Sequence, residues 1–346
     1  MRTNTVCSSA IAAVALAGTA LATQPAKADA IADFYSKKNL TIVVGFSPGG
    51  GADLFGRFFA RHLGKHIPGN PSVIVQNMPG AGGIKALNHF YNVGAKDGSR
   101  TMLTSATHTL AKLLGRKKAR YDIKKINWLG TLTQDTTSCA ATGRSGIKSI
   151  ADTRDRELIF GATGASSSTN QHVLLLKNML GYKIKVVTGY RGTAKVRLAM
   201  QKGEVQAVCA MWASQVQGSL APQVAKGELV PIVQMGSKPH PAFGNAPMAY
   251  DLARNEEERL MMRTMFKTTE LTRPYGTPPG VPADRVAALR KGFWAAVNSP
   301  ELKADAKRLK IIIDPLDWQD TVSGFEKIFA TPKDVVARVK KLVGAK

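Results

Sequence analysis

Short apolar runs alternate with glycine-rich turns and amphipathic stretches from residue 40 onward. Leu40–Val44 is a compact run of strand-forming residues, which is typical of a buried strand. The next stretch places residues on one helical face, at Phe55, Phe58, Phe59, His62 and Leu63. Further strand-like runs lie at residues 73–75, 101–104, 139–141, 158–162, 185–187 and 205–210. The alternation predicts an α/β fold with parallel strands and crossover helices.

The C-terminal part of the chain has a different pattern. Residues 277–282 contain three prolines and predict a rigid loop. Helical periodicity predicts helices at residues 256–267, from 284 onward, at 317–330 and at 333–342. These segments are too fragmented for a separate domain, so we expect them to pack back onto the first α/β unit.

The first thirty residues resemble a secretory signal peptide. Arg2 supplies a positive start, residues 10–21 are apolar, and Ala28-Asp29-Ala30 offers a cleavage site of small residues. The apolar stretch is too short to span a bilayer. We therefore expect export to the bacterial periplasm. Of the three cysteines, Cys139 and Cys209 lie beyond the leader, and they are either a disulfide or two buried small side chains.

The chain carries a formal net charge of +24. Such a charge favours anionic partners, and nucleic acid is the commonest of these. However, export would separate the protein from nucleic acid. The basic residues are also scattered, and Arg116, Lys117 and Lys118 form the longest run. We therefore expect no nucleic-acid partner and interpret the charge as a solvated basic surface that attracts anionic solutes or an anionic membrane.

Three loops, at residues 47–53, 161–169 and 189–193, each follow a predicted strand and precede a predicted helix. Ligands of open α/β sheets bind at the carboxyl ends of strands, and helix N-termini favour anions. Glycines allow close backbone approach, and Ser and Thr add hydrogen-bond donors. The loops predict an anion-binding site, although each loop alone is also an ordinary capped turn.

Residues 45–49 match the G-x-S-x-G pattern of a hydrolase nucleophile, with Ser47 as the serine. The residue after such a serine must donate its backbone N–H to the oxyanion, and here it is Pro48, which has none. A secreted serine hydrolase is therefore the weaker alternative, and a non-specific anion-binding basic protein is another. His108 is either a cleft residue or a polar loop residue. No metal or cofactor motif is present in the sequence, so no cofactor and no catalytic residue is expected.

Several segments together resemble one protein family. IVVGFSPGGGAD at 42–53, VQNMPGAGG at 75–83 and KDG at 96–98 occur in this order, followed by TGYRGT at 188–193, GEVQ at 203–206 and GTP at 276–278. This set resembles the Bug family, the TctC-like substrate-binding proteins of tripartite tricarboxylate transporters. The likeness extends over essentially the whole chain after residue 30.

The resemblance implies a two-lobed Venus-flytrap fold, type II-like, with two strands crossing between the lobes. Residues 31–132 plus 236–346 would form the first lobe and residues 133–235 the second. The protein would be an extracytoplasmic receptor and not an enzyme. It would act as a monomer that binds a small mono- or dicarboxylate. It would deliver this ligand to TctA-like and TctB-like membrane subunits, or present it to a signalling receptor.

The resemblance also implies a set of ligand-binding residues. In the first lobe they are Phe46, Ser47, Gly50, Gly51, Asp53, Gly82 and Ser105. In the second lobe they are Thr163, Gly164, Ser166, Ser167, Thr169, Tyr190, Arg191 and Gly192. Asp53 is a poor carboxylate ligand, so we expect it to cap its helix and shape the loop, or to hold a water. The family's acidic residue near position 210 is here Ala210, which argues against an amino-acid ligand, and the following Trp212 either stacks on the ligand or packs between the lobes.

Overall fold

The computed structural model describes Met1 and residues 26–344. The predicted signal peptide lies mostly outside the described residues, and only residues 26–30 of it fall within the first helix. The strands are β1 Leu40–Val44, β2 Val73–Asn77, β3 Arg100–Leu103, β4 Asn127–Thr131, β5 Thr137–Thr142, β6 Leu158–Gly161, β7 Ile184–Val187, β8 Ala207–Trp212, β9 Leu229–Met235 and β10 Pro274–Thr277.

The α-helices surround these strands. They are α1 Ala26–Ser36, α2 Gly51–Leu63, α3 Ile84–Asn92, α4 Thr107–Leu113, α5 Ser168–Leu180, α6 Thr193–Lys202, α7 Ala213–Gln217, α8 Ala221–Ala225, α9 Glu256–Phe266, α10 Ala283–Asn298, α11 Pro300–Leu309, α12 Trp318–Phe329 and α13 Lys333–Leu342. None of the helices in the described part of the chain is both long and apolar enough to cross a bilayer.

The strands form two five-stranded sheets. The first has the order β2-β1-β3-β10-β4, with β1 parallel to β2 and β3, and β10 antiparallel to β3 and β4. The second has the order β7-β6-β8-β5-β9, with β6 parallel to β7 and β8, and β5 antiparallel to β8 and β9. We call each sheet and its helices a lobe, the first lobe containing β1 and the second β6. The expected α/β fold with parallel strand pairs is confirmed.

Aromatic packing anchors the first lobe. The ring of Phe59 on α2 lies 4.8 Å from that of Tyr275 on β10 and 5.1 Å from that of Phe293 on α10. All three side chains are fully buried. Burying each large aromatic side chain stabilises the fold by roughly 1.5–3 kcal/mol. The cluster therefore fixes α2, whose first turn forms part of the site, against the sheet.

A disulfide joins Cys139 on β5 to Cys209 on β8 in the second lobe. The strand register shifts between residues 138 and 140, and the adjacent Ala210 has a left-handed φ of 63°. Such a bulge bends the strand and redirects the side chains that follow. The bulge lies one residue before Met211 and two before Trp212, at the end of β8 that faces the other lobe.

The C-terminal helices divide between the two lobes. Helices α10 and α11 pack against α2, and α12 packs against β4 and α4, as the prediction of packing on the first unit requires. Helices α9 and α13 contact α5 of the second lobe instead. The Asn178 side chain on α5 also donates to the carbonyl of Leu342 on α13. The tail therefore packs on both lobes, because α5 offers an apolar face that α9 and α13 cover.

Candidate ligand-binding cleft

Loops that follow β1, β3, β6 and β8 enclose a cleft between the lobes. An inner chamber of about 50 Å³ lies against Phe46, Gly50, Gly51, Ala52, Leu103, Thr104, Ser105, Thr107, Thr163, Ser167, Ser168, Thr169, Thr193, Ala210, Trp212, Gln215 and Arg273. An outer chamber of about 240 Å³ lies against Phe46, Gly80, Ala81, Gly82, Thr163, Gly164, Thr188, Gly189, Tyr190 and Arg191. Phe46 and Thr163 line both, so the chambers are adjacent.

Three α-helices begin at this cleft. Helix α2 begins at Gly51, α5 at Ser168 and α6 at Thr193, and each of these residues lines the inner chamber. Of the preceding residues, Gly50 and Gly192 have no side chain, and the Ser167 side chain makes no capping hydrogen bond to its helix. A helix N-terminus carries free backbone N–H groups and a partial positive charge, which together favour an anion.

Asp53 shapes the loop that precedes α2. Its carboxylate accepts from the backbone N–H of Gly49 at 2.9 Å, from the Arg57 guanidinium at 3.0 Å and from the Asn77 amide at 2.9 Å. Asn77 also donates to the carbonyl of Phe46. Burial raises the pKa of Asp53, but these hydrogen bonds outweigh it and hold the pKa below its ordinary value. Asp53 is therefore an ionised, fully bonded support for the loop.

Hydroxyl groups hold the second-lobe loop in place. The Thr169 hydroxyl accepts from the backbone N–H of Thr163 at 2.9 Å and lies 2.7 Å from the Ser167 hydroxyl. The Ser167 hydroxyl also donates to the carbonyl of Gly164. These hydroxyls satisfy one another within the described structure, so the loop is held in one conformation before any ligand arrives.

His108 supports the cleft from behind. It is buried, its Nε2 lies 3.0 Å from the carbonyl of Gly82, and its Nδ1 lies 2.6 Å from the Thr104 hydroxyl. A carbonyl only accepts, so Nε2 carries the proton and Nδ1 accepts from Thr104. Burial lowers the pKa of His108 to about 4, and the imidazole is neutral at neutral pH. His108 lies outside both chambers and positions the Gly82 loop.

The two lobes touch across the cleft. Both the backbone N–H and the hydroxyl of Ser47 donate to the carbonyl of Arg191 at 3.1 Å. Gly82 and Gly164 approach so closely that a Cβ on Gly164 would lie 2.2 Å from the backbone nitrogen of Gly82. Gly82 also has a left-handed φ of 67°, which favours glycine. The structure is therefore a closed form in which backbone meets backbone.

Arg273, immediately before β10, lies at the inner chamber with 4% of its surface exposed. Its guanidinium carbon lies 4.6 Å from the ring centre of Phe55 and 4.9 Å from that of Trp212. Nη1 donates to the carbonyl of Thr272, whereas Nε and Nη2 have no hydrogen-bond partner among the described residues. Burial lowers the pKa of Arg273 to about 10, so the side chain stays charged at neutral pH.

Most of the predicted site residues meet at the cleft. Those that line a chamber are Phe46, Gly50, Gly51, Gly82, Ser105, Thr163, Gly164, Ser167, Thr169, Tyr190 and Arg191. Ser47 and Gly192 face each other at the lobe contact, and Asp53 lies behind its loop. Ser166 lines a separate cavity beside Arg116, Lys117 and Lys118.

Sequence reasoning missed Gln215 and Arg273. Gln215 is buried, and a Cβ on Gly51 would lie 2.8 Å from its Oε1. Gln215 carries no local signal, because it sits on α7 far from any glycine loop. Arg273 carries no local signal either, because β10, which it precedes, has no strand pattern in the sequence. Trp212, left open between ligand stacking and lobe packing, lines the inner chamber and also stacks on Arg273.

The two lobes, the intervening cleft and its helix N-termini define a solute-binding protein of the periplasmic type. A family model described as "Tripartite tricarboxylate transporter family receptor" matches residues 57–306. The chain belongs to this family of Bug/TctC-like receptors, as its sequence segments predicted.

Individual relatives agree with this assignment. A UPF0065 protein encoded in the gbd 5′ region of Cupriavidus necator is 26% identical over 300 residues, which is 84% of each chain. The solved periplasmic binding protein BugD superposes with a TM-score of 0.68 at 19% identity, covering 90% of this chain and 99% of that one. An R. palustris protein solved with adipate gives a TM-score of 0.70 at 21% identity, covering 89% and 98%. The two structures share the two-lobed fold.

Proposed function

We propose that this receptor binds a small organic carboxylate in the interlobe cleft and delivers it to the TctA-like and TctB-like membrane subunits of a tripartite tricarboxylate transporter. One observation indicates the chemical class of the ligand. Among the described residues, Arg273 and Arg191 line the chambers but no aspartate or glutamate does. With three helix N-termini at the same place, this lining favours an anion and disfavours the ammonium group of an amino acid.

The relatives support the same ligand class. The R. palustris structure with a similar fold is described with adipate, a dicarboxylate. The inner chamber alone has room for a few waters and the lobes touch across the cleft, so an acid of that size would enter only when the lobes separate. Ligand entry therefore requires an open form, and the ligand stabilises the closed one by contacting both lobes.

The wider setting follows from the family. We propose that residues 1–30 are a signal peptide removed on export, and that the mature receptor is a periplasmic monomer. Residues 31–132 plus 236–346 would form the first lobe and residues 133–235 the second, with helices α9 and α13 of the tail packed on α5 of the second lobe. The connections near residues 133–136 and after β9 would then carry the hinge.

The contacts of Ser47 support binding without catalysis. A nucleophilic serine needs a base that accepts its proton, but the Ser47 hydroxyl donates to the carbonyl of Arg191. Pro48 provides no N–H for an oxyanion, and His108 donates its Nε2 proton to Gly82. The residues of the elbow motif are thus engaged in closing the lobes.

A thermal-shift screen of the mature protein tests the proposal. The panel holds small mono- and dicarboxylates, amino acids, sugars and inorganic phosphate, each at 0.05 and 0.3 M salt. A ligand specific to the folded receptor raises the melting temperature saturably with concentration. The proposal predicts a saturable shift with one or a few carboxylates that survives high salt. Equal, salt-sensitive shifts with every anion would favour a basic scavenger, and silence from all carboxylates would refute the proposal.

A further inference from the structure

Arg273 is a buried charged side chain with only part of its hydrogen-bond donors paired. Buried polar groups are almost always paired, and an unpaired one costs about 1–3 kcal/mol or more when charged. In Arg273 the two unpaired donors are Nε and Nη2. These two N–H groups lie side by side on one edge of the planar guanidinium, the edge that binds a carboxylate through two parallel hydrogen bonds.

The surroundings of Arg273 leave only this edge for a ligand. Phe55 and Trp212 lie within cation–π distance of the guanidinium, and Nη1 is bonded to the carbonyl of Thr272. Arg273 lines the inner chamber, but its two unpaired N–H groups are covered in this closed form, so a ligand would reach the edge when the lobes separate. The aromatic rings also fix the plane of the guanidinium in advance, which lowers the entropy cost of binding.

The acidic side chain of Asp135 does not pair with this edge. Asp135 lies close enough for its charge to influence Arg273, yet no ion pair joins them among the described residues. Its Oδ2 accepts instead from the Ser214 hydroxyl at 2.6 Å, and its Oδ1 has no partner. Asp135 therefore offsets part of the buried charge without occupying the donors.

We propose that Arg273 binds a second carboxylate of the ligand side-on, while the helix N-termini at the cleft bind the first, so that the receptor selects dicarboxylates over monocarboxylates. This inference rests on the proposed function and narrows it. Gln215, with an unpaired buried Oε1 at the same chamber, could accept a hydrogen bond from a hydroxyl or a protonated group of the ligand.

Titration calorimetry on ligand-free, refolded receptor tests the inference. The probes are succinate, glutarate and adipate, each compared with its own monomethyl ester, which keeps the chain length and loses one charge. Wild type should bind at least one diacid ~10- to 100-fold more tightly than the ester, the scale of hydrogen bonds to a charged group. Arg273→Gln should bring this ratio close to one.

The basic surface of the whole protein also favours a dianion, so a control is required. Arg120→Gln removes the same charge from an exposed residue outside the cleft and should keep the wild-type ratio. If Arg273→Gln does not fold, Arg273→Lys decides: it keeps the charge and loses the paired donors, and the ratio should fall by about tenfold.

Each other result counts against the inference. A wild type that binds diacids and esters alike overturns the role of Arg273 and leaves carboxylate reception intact. A wild-type ratio retained in the folded Arg273 variants, or lost equally in Arg120→Gln, overturns it too. No saturable binding of any acid removes the proposed function and this inference together.

Discussion

Gly164→Ala should prevent the lobes from closing without disturbing either lobe. Gly164 has no left-handed φ, so alanine suits its backbone. An added Cβ would nevertheless lie 2.2 Å from the nitrogen of Gly82 and 2.5 Å from the carbonyl carbon of Ala81, in the opposite lobe. Real Cβ atoms essentially never lie closer than 3.0 Å to such an atom, so the lobes must stay at least about 0.8 Å further apart at this point.

That separation would remove the closing contacts. Both hydrogen bonds from Ser47 to Arg191 would lengthen, and each such bond contributes about 0.5–1.5 kcal/mol net. The loss amounts to ~1–3 kcal/mol, or a dissociation constant roughly 5- to 150-fold higher. Isothermal titration with the best carboxylate from the thermal-shift screen measures this directly, and the melting temperature of the ligand-free variant should stay near that of wild type.

Gly192→Ala is the matched control. Its Cβ would also face the other lobe but would lie 3.4 Å from the nitrogen of Ser47, an ordinary contact that allows closure. It should bind within about threefold of wild type, because the contacts between the lobes remain in place. Equal affinity of Gly164→Ala and Gly192→Ala would refute the claim that binding needs the lobes to meet at Gly82 and Gly164.

Two further predictions concern Ser47 and the response to acid. Ser47→Ala loses one hydrogen bond and keeps the backbone one, so affinity should fall only ~2- to 10-fold, whereas a serine hydrolase would lose p-nitrophenyl ester hydrolysis outright. Acidification from pH 6.5 to 4 should lower the free energy of unfolding. Burial lowers the pKa of His108 and His172 to about 4, so over this range the unfolded chain binds two protons that the folded chain does not bind. Asp135, whose pKa burial raises to about 6, offsets one of these protons between pH 6 and 4. Urea unfolding should then show a net slope of about 1.4 kcal/mol per pH unit there, and a flat profile would contradict the assignment.

Local sequence patterns predicted the strands and helices whose own residues favour that structure. β1 and α13 occupy the predicted ranges, because one is a continuous strand-forming run and the other a regular amphipathic repeat. β10 was not predicted: it starts with Pro274 and contains Gly276, both poor strand residues, and it is a strand because β3 and β4 flank it. β4 was missed partly because Gly130 interrupts it, where a Cβ would lie 2.3 Å from the Phe293 ring.

The residues of the site also fall into a group that the sequence predicted and a group that it did not. The glycine loops at residues 47–53, 161–169 and 189–193 were predictable, since each is a short segment between a strand and a helix. Arg273 and Gln215 were not, because they reach the chamber through the fold, more than 160 residues after Gly51 in the chain. The side chains that we propose decide specificity are thus brought to the cleft by the tertiary structure, whereas the glycine loops of the cleft are visible in the sequence.

Amide hydrogen exchange, with and without the carboxylate identified by the screen, is the most direct test of a receptor that closes on its ligand. Closure on the ligand predicts that exchange slows in the loops of both lobes together. These loops are residues 46–53 and 80–83 in the first lobe and residues 163–169 and 189–193 in the second. Slower exchange in one lobe alone, or in neither, would contradict closure around a ligand held between them.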